Sequence, residues 1–253
     1  MKHLQLAALL LLSLVACNKE SDPDPSSPNP PAVQRKLKGY TYKNDQYLPL
    51  AIVYDAQGRV VKMDDGEDVS TLVYSGNEVQ VTTFRKAENR EVASFKGKIN
   101  SNGQLTEGTG TASYTGTLRQ EKHRFEYNSE GYMTRRVLDL NNGENIYEYF
   151  FTYANGNLTA WEVHRNGQYD YSGAWEYDLS TQDRSGLNWN HFDVCNAFTG
   201  KTNKNLAVKY TGYRDGKVSW FGDFQYTFDA QGYPLTNAVQ ISNGNAYTLI
   251  YQY

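Results

Sequence analysis

One turn of nearly fixed spelling recurs along this chain and constrains its fold more than any other feature. Ile52-Val53-Tyr54-Asp55-Ala56-Gln57-Gly58 is matched by Phe125-Glu126-Tyr127-Asn128-Ser129-Glu130-Gly131 and again by Tyr226-Thr227-Phe228-Asp229-Ala230-Gln231-Gly232. In each, an alternating strand ends on an aromatic residue, an Asp or Asn follows, and Gly stands three positions beyond it. An Asx side chain bonds backbone groups two residues onward, and Gly accepts the positive φ that closes the turn, so the spacing fixes a tight reversal. Looser copies run from Leu72 to Val79 and from Phe151 to Leu158, which makes at least five related units. Between them lie Asn102-Gly103, Asn142-Gly143, Asn155-Gly156, Asn166-Gly167, Asn243-Gly244, Asp65-Gly66 and Asp215-Gly216, dipeptides that favour type I′ hairpin turns.

Period-two alternation surrounds these turns, in Phe125 and Tyr127, in Phe151 and Tyr153, and in Tyr247, Leu249, Tyr251 and Tyr253. The intervening Arg124 and Glu126 are polar, as expected of strands with one face on a core and one in water. Past the N-terminal segment no window keeps apolar residues at helical spacing for ten positions. The 21 Tyr and 10 Phe favour pleated, half-buried surface. The expected fold is all-β: an antiparallel meander of repeated hairpins that forms a curled sheet or a barrel.

Residues 1–16 have the layout of a secretory signal, with Lys2 before an apolar run from Leu6 to Leu14 and a small residue at Ala16. The run is shorter than the roughly 20 residues a membrane span needs. Leu14-Val15-Ala16-Cys17 resembles the bacterial lipobox, which implies acylation of the Cys17 thiol and cleavage before it. An ordinary signal with an incidental Cys is the weaker reading. Each buried methylene contributes about 0.8 kcal/mol, so three acyl chains would hold the protein stably on a membrane. With Cys17 so used, Cys195 is left alone, and no disulfide staples the domain.

Residues 17–33 read as a tether, since Pro23, Pro25, Pro28, Pro30 and Pro31 fall here among Ser, Asp and Asn. The fifteen residues from Asn18 to Ala32 extend at about 3.1 Å per residue, a reach on the order of 45 Å. Glu20, Asp22 and Asp24 behind the anchor resemble the surface-export signal of Bacteroides-type lipoproteins, which places the chain at the outer membrane and favours the cell surface over the periplasmic face. Residues 34–253 then form a single all-β domain with an irregular segment near 180–205, where alternation lapses.

The Tyr-Asp units resemble the YD repeats of Rhs-type surface proteins. The closing stretch from Tyr226 to Tyr253, together with Gly200-Lys201-Thr202-Asn203-Lys204-Asn205-Leu206, resembles a lipoprotein family of Bacteroides-type bacteria, domain of unknown function four-five-nine-five, described as porin-like. That resemblance covers roughly residues 35–253 and implies a curled or closed antiparallel sheet. It brings no catalytic residues to carry over.

Candidate chemistry is sparse. His191, Asp193 and Cys195 alternate on one side of a strand, but zinc needs further ligands and no partner motif stands nearby, so a loop with a buried thiol is the stronger reading. A nucleophile built from Cys195 with His191, His123 or His164 has no local signature. The acidic residues lie at turns and polar strand positions rather than in a glycosidase motif. No catalytic residue, metal site or cofactor is assigned. Trp161, Trp175, Trp189 and Trp220 are the candidate ligand-binding residues, as platforms for sugar rings, against the plainer role of buried core. The 180–205 segment, with Trp189, His191 and Phe192, is either a pocket lid or a plug, and the plug is favoured.

Lys and Arg total 25 against 28 Asp and Glu, a net charge of −3. No basic surplus exists to neutralise phosphates, which excludes nucleic acid as a partner. The sequence therefore points to a non-catalytic β scaffold or interaction protein on an outer membrane, partnered with the membrane through its lipid and with a glycan or surface protein. A glycan-binding accessory protein and a small outer-membrane pore are the alternatives.

Overall fold

A computed structural model describes residues 35–43, 48–113, 117–187 and 200–253 of the chain. The signal, Cys17 and the tether lie outside the described residues, as do Trp189, His191, Phe192, Asp193 and Cys195. The strands are β1 (Gly39–Tyr42), β2 (Leu50–Tyr54), β3 (Val60–Asp64), β4 (Asp68–Ser75), β5 (Glu78–Arg85), β6 (Arg90–Ile99), β7 (Leu105–Ala112) and β8 (Arg119–Tyr127), then β9 (Met133–Leu140), β10 (Asn145–Ala154), β11 (Asn157–Arg165), β12 (Gln168–Gln182), β13 (Asn205–Arg214), β14 (Lys217–Phe228), β15 (Pro234–Ile241) and β16 (Ala246–Gln252). Each pairs antiparallel with its sequence neighbour, and β1 also pairs with β16 through Tyr40–Tyr251 and Tyr42–Leu249, which closes a barrel of 16 strands. Of the two expected outcomes, curled sheet or barrel, the chain forms the barrel, and among the described residues no edge strand is left unpaired.

The recurring turns all fall on one rim, because connections from even to odd strands share an end in an up-and-down barrel. At Asp55, Asn128 and Asp229 the geometry is the same. The Asx N–H donates to the carbonyl four residues on at 2.9–3.0 Å, and the Gly N–H returns to the Asx carbonyl at 2.9–3.1 Å. The Asx Oδ1 accepts the N–H of the residue four positions on at 2.8–3.0 Å. Asn100 with Gly103 is a fourth copy of this turn.

That fourth copy corrects part of the dipeptide reading. At Asn155-Gly156, Asn166-Gly167 and Asp215-Gly216 both residues have positive φ, as type I′ requires. At Asn102-Gly103, Asp65-Gly66 and Asn243-Gly244 only the Gly does. There an Asx side chain carries the turn instead: Asn100 Oδ1 takes the Asn102 N–H at 2.9 Å, Asp65 Oδ1 takes the Glu67 and Asp68 N–H groups, and Asn243 Oδ1 takes the Asn245 N–H.

The aromatic residue before each turn has its own architectural use. The Tyr54, Tyr74, Tyr127 and Tyr177 hydroxyls point inward and donate to the carbonyls of Leu37, Val60, Leu105 and Leu158 at 2.7–3.0 Å. Each ties the end of an even strand to the chain preceding it, so part of the tyrosine excess is barrel joinery. Asn128→Ala removes two turn bonds, to Tyr132 and Glu130, and is expected to destabilise the barrel by about 1–2 kcal/mol at net hydrogen-bond values, read as a lower denaturation midpoint.

Alternation sorts the side chains by face. Leu50, Ile52, Leu72, Val79, Phe125 and Tyr251 point into the barrel and are buried in one continuous core. Lys96, Lys98, Lys122, Arg124 and Glu126 point outward and are exposed. Opposite charges pair across strands on this outer wall, Lys96 with Glu78 at 2.9 Å, Lys98 with Glu107 at 2.8 Å and Arg135 with Glu126 at 2.8 Å. Such exposed pairs add little stability, but they place charge on the outer wall.

The flanks of the irregular segment fold over the rim that carries the Asx turns. β12 runs to Gln182, further than its lapse in alternation suggested, because Asp178 turns its carboxylate onto Ser180 and Thr181 and the register shifts there. Beyond it, Asp183 N–H donates to the Lys204 carbonyl, Arg184 reaches the Gln231 carbonyl, and Leu187, 2% exposed, joins the core. On the return, Lys201 and Lys204 bond the Gly131 and Gly156 carbonyls, and Asn203 Oδ1 accepts the Leu158 N–H at 2.7 Å. Arg35 also enters at this rim, held by Asp229 and by Gln231 at 2.8 Å, with its guanidinium 4.2 Å from the centre of the Tyr233 ring.

Candidate functional site

The inner wall of β9 to β14 carries the largest concentration of aromatic residues, and register explains how. Trp161 on β11 is opposite Gly173 on β12, which is opposite Gly212 on β13, which is opposite Trp220 on β14. Two indoles thus flank two positions without side chains. A Cβ on Gly173 would lie 2.5 Å from the Tyr210 hydroxyl and 2.6 Å from Trp161 Nε1, and one on Gly212 would lie 2.6 Å from Trp220 Nε1. The glycines let these rings lie down on the sheet.

Tyr210 is the hub of the wall. Its ring is 4.2 Å from Trp220, 4.5 Å from Trp175 and 6.5 Å from Trp161, tilted by 41° and 55° to the first two and stacked with the third. It is 2% exposed, and burial pushes its hydroxyl up to about 12, so it stays a neutral donor. Trp220, at the edge of this cluster, is 44% exposed.

The adjacent row is Arg136–Tyr149–Val163–Tyr171–Arg214, read across five strands. Arginines end it on both sides, each over a tyrosine ring: Arg136 over Tyr149 at 5.1 Å and Arg214 over Tyr171 at 5.7 Å. Arg136 is buried, which lowers its pKa from the usual range, and its Nη2 lies 3.4 Å from His123 Nδ1. Arg214 is exposed and stands 3.9 Å from Asp170. The Tyr149 and Tyr171 hydroxyls are held above the ordinary range by burial. Together Arg136, Tyr149, Trp161, Tyr171, Tyr210, Trp220 and Arg214 line a cavity of about 490 Å³, a size suited to a small ligand.

Three of the four candidate tryptophans, Trp161, Trp175 and Trp220, therefore meet around one tyrosine, and Trp189 lies outside the described residues. Sequence reading missed Tyr210, the two glycines and the two arginines. Arg136 had a readable signal, because it shares strand parity with Leu138 and Leu140 and so falls on the apolar face. Of the histidines weighed as partners for Cys195, the two among the described residues lie on opposite faces of the wall. His123 is buried inside, where desolvation lowers its pKa and Glu121 lies 3.1 Å away, whereas His164 sits on the outer face beside Glu162 at 3.2 Å.

No protein-family model matches the chain, and no curated protein matches it in sequence. Solved structures do resemble it. A crystal structure of a porin-like protein from Bacteroides vulgatus ATCC 8482 superposes with a TM-score of 0.64 at 11% identity, over 87% of this chain and 99% of the other. A porin-like protein from Bacteroides uniformis ATCC 8492 gives 0.61 at 15% identity, over 87% and 98%. At these identities the likeness is one of fold.

Proposed function

We propose that this protein is a non-catalytic interaction barrel that hangs in water from an outer-membrane lipid anchor and holds its ligand in the aromatic chamber. One observation carries the reading. The outer wall of β6 and β8 bears Lys96, Lys98, Lys122, Arg124 and Glu126, with Lys122 and Arg124 at mid-strand, where a bilayer-spanning barrel presents an apolar band about 25 Å tall. A Lys or Arg facing lipid at the midplane destabilises a barrel by about 2–4 kcal/mol, and here several stand side by side. The same charges count against the pore alternative, although the neighbours in fold are described as porin-like.

In this reading Cys17 carries the acyl chains, and the kinship with the lipoprotein family noted above accounts for the shared fold. Trp220 and Arg214 flank the Asp215-Gly216 turn on the rim opposite the Asx turns, so the chamber opens toward that rim. The glycan-binding alternative gains from Trp220, which packs on buried Tyr210 and keeps one indole face open to the cavity.

The test is direct. The chain that follows Cys17 is expected to purify as a monodisperse protein without detergent and to give no conductance in planar bilayers. Recovery only in detergent, or single-channel steps, would overturn the water-facing reading.

A further inference from the structure

We infer that the chamber takes an acidic oligosaccharide, a short chain of pyranose rings carrying carboxylate or sulfate groups. This rests on the chamber being the binding site of the proposed interaction barrel. Three features of its lining select that chemistry. First, the row Arg136–Tyr149–Val163–Tyr171–Arg214 puts a guanidinium at each end. Four strand spacings separate them, about 19 Å along the curving sheet, so anionic groups on more than one ring are met at once. Arginine's planar fork matches carboxylate and sulfate bidentately. Arg136 is held deep in the wall beside Tyr149 and His123, and Arg214 is set at the mouth.

Second, the row beside the arginines is aromatic but not a flat slot. Buried Tyr210 is tilted by 41° to Trp220, which is 44% exposed and lines the cavity, so the wall offers one open indole face to a pyranose ring rather than the parallel faces that would clamp a polycyclic plane. Third, the Tyr149 and Tyr171 hydroxyls line the same cavity, where neutral donors and acceptors suit sugar hydroxyls. Asp170 near Arg214 and Glu121 near Arg136 moderate the positive field without cancelling the geometry.

Calorimetry on the full chain, with oligogalacturonate and a chondroitin sulfate hexasaccharide as acidic probes and maltohexaose as the neutral one, tests the inference. At least one acidic probe is expected to bind at low salt and to weaken as salt screens the contact. Arg214→Gln, at an exposed position, is expected to lower that affinity about tenfold, the loss of one charge-assisted hydrogen bond, and Trp220→Ala to lower it by a similar factor. Arg136→Gln is expected to do more, and Arg214→Gln carries the test where the buried substitution does not fold. Equal binding of maltohexaose, sensitive to Trp220→Ala but not to Arg214→Gln, overturns the acidic preference and leaves the chamber standing as the site. Acidic binding indifferent to both substitutions places the site elsewhere and overturns the inference. A folded protein that binds none of the three probes sinks the inference, and the glycan reading with it.

Discussion

Tyr210→Ala is expected to destabilise the barrel by about 3–5 kcal/mol, the range for deleting a large buried aromatic side chain. The ring has no substitute: Trp161, Trp175 and Trp220 all lean on it, and each aromatic pair contributes about 0.5–1.5 kcal/mol beyond burial alone. The glycines at 173 and 212 make the loss worse, since they have no side chains to move into the space. Tyr210→Phe keeps the ring and removes only a hydroxyl, so it is expected to lose no more than about 1 kcal/mol. Denaturant titration followed by tryptophan fluorescence checks both, because the probes surround the substituted ring. A Tyr210→Ala loss below about 1 kcal/mol would show that the wall is held from elsewhere. The same variant is expected to abolish capture of any ligand in the chamber, so stability and binding fall together for Ala and separate for Phe.

The division of labour between the hub and its surroundings also shows what could be read from the sequence. The Asx turns were legible because their chemistry is local: Asp55, Asn128 and Asp229 close their own loops with bonds spanning four residues. Facing was legible for the same reason, since Arg124 and Glu126 alternate with Phe125 and Tyr127 whatever lies next to them. Closure was left open between sheet and barrel, because it depends on Tyr40 meeting Tyr251 and Tyr42 meeting Leu249, pairings between the two ends of the domain. The chamber was half visible. Tryptophans announce themselves by type, but that Gly173 and Gly212 lie between two of them is a fact of register across four strands, and no single segment spells it. Asn102-Gly103 shows the converse, where a strong local signal was assigned to the wrong turn because the same Gly belongs to a longer unit headed by Asn100.

Asp183→Asn is expected to stabilise the barrel near neutral pH, which is unusual for removing a hydrogen-bonded buried carboxylate. Asp183 lies on the segment that folds over the Asx-turn rim, facing Tyr177, Tyr226, Tyr251 and Tyr253, and burial pushes its carboxyl up to about 6 against a reference of 3.8. Bonds from the Ser185 N–H and hydroxyl, at 2.8 and 2.6 Å, pull it back only in part. Between pH 4 and 6 the folded chain therefore holds more of this proton than the unfolded chain, so stability from this group is fully present below pH 4 and is lost as pH rises toward 6. Above that the penalty is at most about 3 kcal/mol, from roughly two pH units at about 1.4 kcal/mol each. Asp183 is only partly buried, and solvent screening brings the expected figure to about 1–2 kcal/mol. Asparagine keeps an oxygen for Ser185 and carries no charge, so the variant should match the parent at pH 4 and exceed it at pH 8. Denaturation midpoints of the two proteins across that range decide the matter: parallel curves would mean that the carboxyl is not held neutral by its surroundings and that the tyrosine-lined interior is wetter than its geometry implies.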